Sequence, residues 1–170
     1  MAEAKTEEGS NSTEQKPLVV NKHYQPEELV FTFSHAQQAA EAHDIQIKGH
    51  ESANRYYHIA TPIEQNSCVM YRYQLKGFAY GCAKPLDIIW CGYTYTNGAI
   101  VKPVNVDLHK IGFKVEQYIN SNKRVCLKFG PINRYCNGFA LYYSAHYHKV
   151  KQGLDVKQYS IKAVAEDGTL

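Results

Sequence analysis

The chain has 170 residues, 44% of them hydrophobic and 21% charged, which suits a globular domain and excludes a wholly disordered chain. No apolar run approaches the ~20 residues that a spanning helix needs, and the polar, acidic start has no apolar stretch of the kind a secretory signal requires. The net charge of +3 conceals a division: residues 1–16 and residues 17–48 each carry four carboxylates against two cations, whereas residues 49–170 carry 15 Lys/Arg against 8 Asp/Glu. A basic body favours anionic partners. No Lys/Arg run exceeds Lys123-Arg124, however, and no nucleic-acid motif occurs, so nucleic acid is not an expected partner.

Residues 1–16 hold almost no apolar side chains and read as a disordered acidic tail. Residues 17–49 read as an N-terminal arm. In it Leu29, Phe31 and Phe33 mark a short strand or extended segment. Ser34 and Gln37 then stand three apart, as a capping box requires, ahead of an Ala-rich run, and predict one short helix over residues 35–43.

From Arg55 the hydrophobic period changes to two. Val69, Tyr71, Tyr73 and Leu75 alternate with Met70, Arg72, Gln74 and Lys76, which gives a strand with one dry and one wet face. Leu86 to Trp90 is nearly continuous and should be covered on both faces. Phe113 and Val115 oppose Lys114 and Glu116. Val125, Leu127 and Phe129 oppose Arg124, Cys126 and Lys128. Phe139, Leu141, Tyr143 and Ala145 oppose Tyr142, Ser144 and His146, and Tyr159 and Ile161 oppose Gln158, Ser160 and Lys162. Asn97-Gly98 reads as a type I′ hairpin turn, with further turns at Asn120-Ser121-Asn122 and Asn137-Gly138. Pro103 and Pro131 belong at strand ends or sheet edges. The pattern predicts an all-β fold over residues 50–165: an antiparallel, jelly-roll-like β-sandwich of seven or eight strands, followed by a solvated C-terminal tail at 166–170.

Catalytic chemistry has no clear signature. His146 and His148 share one face of a strand and could form half of a metal site of cupin type. The chain continues Lys149-Val150-Lys151, however, and supplies no nearby carboxylate, so no metal is expected. No CxxC, G-x-S-x-G or glycine-rich phosphate loop occurs. The five cysteines read as free, mostly sheltered thiols. No catalytic residue and no cofactor is predicted. Binding has more support. Tyr and His crowd Tyr93 to Gly98 and Tyr142 to His148, and aromatic faces with polar tips suit sugar rings and protein side chains. The candidate ligand-binding residues are Tyr95, Asn97, Tyr142, His146 and His148.

The run from Tyr71 to Gly81, carrying Lys76-Gly77-Phe78-Ala79-Tyr80, is followed by Asp87 to Tyr95, ending Gly92-Tyr93-Thr94-Tyr95. With the later strands Lys123 to Phe129 and Gly138 to Tyr143, this pattern resembles the C-terminal domains of phage tail-fibre proteins over about residues 55–162. The resemblance implies a β-sandwich that binds or assembles and does not catalyse. The resulting expectation is a non-enzymatic adhesion module that recognises a receptor or glycan through a Tyr/His-rich face. The alternatives are a structural subunit of a virion, filament or other assembly and, behind it, a metal-dependent cupin-like enzyme. Expected partners are a protein receptor, a glycan or neighbouring subunits in a homo-oligomer. Membrane insertion is not expected, and the location is a virion or the cytoplasm.

Overall fold

The computed structural model describes residues 22–33, 47–48, 55–79, 84–132, 136–148 and 151–170. The tail expected at residues 1–16 and the helix expected over 35–43 lie outside the described residues. The strands are β1 (Tyr24–Phe33), β2 (Ile47–Lys48), β3 (Arg55–Glu64), β4 (Val69–Ala79), β5 (Lys84–Thr94), β6 (Ile100–Asp107), β7 (Lys114–Ile119), β8 (Arg124–Ile132), β9 (Cys136–Tyr147) and β10 (Ser160–Val164). They form two five-stranded sheets, ordered β1-β9-β4-β5-β6 and β2-β10-β3-β8-β7. Among the described residues every pairing is antiparallel except that of the two-residue β2 with β10.

The all-β sandwich read from the sequence is the observed fold, with more strands than the seven or eight expected. The alternation that predicts it also builds its core. Val69, Tyr71, Tyr73 and Leu75 of β4 and Phe139, Leu141, Tyr143 and Ala145 of β9 are buried between the sheets. They meet Tyr57 and Ile59 of β3 and Val125, Leu127 and Phe129 of β8 in one apolar cluster. Phe33 stacks on Phe139 at 4.7 Å between centroids, and Tyr57 on Phe129 at 5.4 Å. Each such pair adds about 0.5–1.5 kcal/mol beyond its buried area. Trp90 crosses from β5 to the other sheet, where its Nε1 donates to Glu116 O at 2.8 Å.

Several local expectations change. The segment assigned to an arm includes β1, which pairs with β9 along the sheet edge and puts Phe31 and Phe33 in the core. Sequence could not place it, because its partner lies more than a hundred residues away. Asp87 and Ile89 are half-buried, so β5 has one core face and one partly open face. Asn137-Gly138 is not a turn. It lies inside β9, where Gly138 has φ +64° and the register with β4 shifts between Lys76 and Phe78. At the β5–β6 turn Gly98 has φ +74°, but Asn97 does not share the positive φ that a type I′ turn demands. Asn97 Oδ1 instead accepts from Ala99 N at 3.2 Å.

The largest change is on β8. Cys126 and Lys128, assigned to a wet face, are buried at 1% and 2% exposure. Period two places both on the outer side of the second sheet. Lys128 is sheltered there by ion pairs with Glu116 and with Asp167 of the C-terminal segment, so that segment is not a freely solvated tail.

Candidate functional site

The outer side of the first sheet carries the open, aromatic face. Antiparallel register sets five side chains in one row across all five strands. Tyr24 of β1 lies opposite His146 of β9, His146 opposite Met70 of β4, Met70 opposite Tyr93 of β5, and Tyr93 opposite Val101 of β6. Ser144, Arg72, Cys91 and Val104 make the second row, and Leu29, Tyr142, Gln74, Ile89 and Val106 the third. Alternate residues of a strand share a face and opposed residues sit side by side, so these rows form a continuous surface.

Between the first two rows lies a hollow of about 450 Å³, lined mainly by apolar surface. Tyr24, Met70, Tyr93, Val101 and His146 wall it, with Arg72 and the small Cys91 and Ser144 beside them. The edge strand curves there. Between the Cys91–Val104 and Tyr93–Val101 pairs β6 has one extra residue, and Lys102 adopts φ +46°. An extra residue of this kind bends a strand and increases its twist.

Lys102 and Arg72 both bring a fixed charge to the hollow, and Arg72 stands in the second row. Its guanidinium donates to Glu27 Oε1 at 3.3 Å and to Gln74 Oε1 at 2.9 Å, and Gln74 Nε2 donates onward to Asp87 Oδ1 at 2.7 Å. This chain explains why Gln74, on the nominally wet side of β4, is buried. Lys76 Nζ stands 4.8 Å from the Tyr142 ring centroid. Burial pushes the Cys91 thiol above its usual pKa, with Arg72 opposing, so the thiol is not an activated nucleophile.

The sequence-predicted residues are distributed over one end of this face. His146 is exposed and lines the hollow. Tyr142 lies two rows away, in the third, under Lys76. Tyr95, exposed, packs against Tyr93 with centroids 5.6 Å apart, beside the hollow but not in its wall. Asn97 is committed to its own turn. His148 is exposed at the end of β9, and its backbone N donates to Cys68 O. Among the described residues no group of three or more His, Cys, Asp or Glu is arranged to hold a metal. Sequence reasoning did not select Tyr24, Met70, Arg72 and Tyr93 as a site. Their parity was legible for β4, but their convergence depends on the β1–β9–β4–β5 register. No family model matches the chain, and neither does a curated protein or a solved structure.

Proposed function

We propose that the chain is a non-enzymatic binding module of tail-fibre-like type, and that the outer face of the first sheet contacts its receptor. One observation carries this reading: the cross-strand row from Tyr24 to Val101, with Arg72 beneath it, leaves a hollow open to solvent. A hollow of this size accepts one apolar side chain or one sugar ring. Tyr24, Tyr93 and Met70 would cover its flat or apolar surface, while Arg72 and His146 would meet its polar groups. The basic body adds attraction for an anionic receptor surface.

The test uses Met70→Glu and Tyr93→Ser, each on the full chain. Met70 is 57% exposed, so its replacement should leave stability within about 0.5 kcal/mol. Immobilised glycans and candidate receptor proteins are then screened with the wild-type chain. Binding that both variants lose supports the reading, and binding that both retain overturns it. A second reading, a subunit of an assembly, is favoured by the exposed Leu29 and Phe78, which extend the same face with apolar surface. In that case Met70→Glu would lower the native mass in solution without any ligand present.

A further inference from the structure

On the opposite outer face, the part over β7 and β8 is covered by the chain itself. Lys128 Nζ donates to Glu116 Oε2 at 2.9 Å and to Asp167 Oδ1. Lys114 Nζ meets the same two carboxylates, at 3.2 Å from Glu116 Oε1 and 2.8 Å from Asp167 Oδ2. Two cations thus share two carboxylates. Glu116 belongs to β7, whereas Asp167 belongs to the segment that follows β10. That segment continues to Leu170, whose N donates to Tyr118 Oη at 3.0 Å and whose O accepts from Ser121 N at 3.4 Å.

The segment lies over a well-sheltered surface without entering the core. Residues 165–170 are all exposed, so none of them anchors in the core. Next to the ion cluster His58 is 2% exposed. Its Nδ1 lies 2.7 Å from Tyr118 Oη, while its Nε2 is buried with no hydrogen-bond partner among the described residues. With Asp167 withdrawn, Glu116 would be the one carboxylate left to Lys114 and Lys128 among the described residues, beside the Tyr56 ring that Lys128 overlies. A buried cation that loses one of its partners favours capture of another carboxylate.

We propose that residues 165–170 are a displaceable self-ligand, and that Lys128, Lys114, Tyr118 and Ser121 form a binding site for a carboxylate-bearing peptide segment of a partner protein. The peptide nature of the ligand follows from the pattern the self-ligand uses. A carboxylate is read by the two lysines, and three residues later one backbone N–H and one C=O are read by Tyr118 and Ser121. A free anion would satisfy only the first part.

Asp167→Asn weakens the self-ligand in the full chain. A synthetic peptide with the sequence of residues 164–170 is then titrated in, followed through the NMR signals of Ser121 and the Lys128 side chain. The variant should bind this peptide saturably and at least tenfold more tightly than the wild-type chain, in which the tethered segment competes. A peptide carrying Asn in place of its Asp should bind at least tenfold more weakly. If the variant retains its melting temperature but does not bind, or does not distinguish the two peptides, the proposal falls. Hydrogen exchange on the wild-type chain gives a second reading that needs no variant. The Leu170 and Ser121 amides should exchange at least tenfold faster than those of β8, and protection equal to that of β8 would show a fixed terminus and overturn the proposal.

Discussion

His58 is kept neutral by its surroundings. Burial, and then the nearby Lys128 and Lys162, lower its pKa from 6.5 to about 4, with Asp167 and Glu116 opposing. The unfolded chain therefore takes up this proton first as the pH falls. The stability contribution is complete above about pH 6.5 and declines toward pH 4. Glu116 and Asp167 are held below the usual carboxylate range chiefly by hydrogen bonds from Lys128 and Lys114, so their contribution is lost only at lower pH. The melting temperature should fall between pH 6.5 and 5, and His58→Gln should flatten that part of the profile; an unchanged slope would contradict the assignment. Gly153 is a second sensitive position. It has φ +104°, and a Cβ there would overlap the Tyr143 ring, which is fully sheltered. Gly153→Ala combines left-handed strain with overpacking and should cost about 2 kcal/mol or more in denaturant unfolding. Neither effect is visible in sequence. A period-two pattern gives the side of the sheet on which Lys128 or His58 emerges, but not what later lies across it.

At the scale of the element, Gln117 shows how the two sheets are joined at one edge. It projects from β7 of the second sheet, and its Oε1 accepts from Tyr71 Oη of the first at 2.5 Å. Its Nε2 donates to Cys91 O at 2.9 Å, to Asn105 Oδ1 at 2.9 Å and to Val104 O at 3.2 Å, on β5 and β6. Gly92 makes this possible, because any Cβ there would collide with the Tyr71 hydroxyl. Gln117→Leu leaves the buried Tyr71 hydroxyl without its acceptor and should cost about 2 kcal/mol. The loss should couple to Tyr71. Tyr71→Phe should cost less in the Gln117→Leu background than in the wild type, and strict additivity in that double-mutant cycle would rule the bond out as a contributor. The strands themselves were legible wherever local alternation was strong, as in β4, β9 and β10. β6 was not, because Pro103 interrupts its pattern and none of its residues is fully buried at the sheet edge. The inter-sheet bonds were not legible either, since a polar residue such as Gln117 on a mixed strand gives no signal of its partner.

Across the whole molecule the two outer faces are treated in opposite ways. The first sheet presents Tyr24, Met70, Leu29 and Phe78 outward, all about half exposed or more, and Tyr24 and Met70 among them wall the hollow beside Arg72. The second buries Cys126, Lys128 and His58 beneath an ion cluster that the C-terminal segment completes. Two cysteines report on this asymmetry, one from each face. Cys91 borders the hollow and is half-buried. Cys126 is buried, and its thiol is pushed up to about 11 by burial, opposed by the Tyr118 hydroxyl and the Lys128 charge. Alkylation needs both access and thiolate, so the two effects act in the same direction at Cys126. Native alkylation at mildly alkaline pH, followed by peptide mass spectrometry, should label Cys91 roughly tenfold or more faster than Cys126. Denaturation should bring the two rates together, because both thiols then approach the ordinary reference value. Comparable native rates would mean that the second outer face opens as readily as the first, and the contrast between an open face and a self-covered one would not describe the molecule in solution.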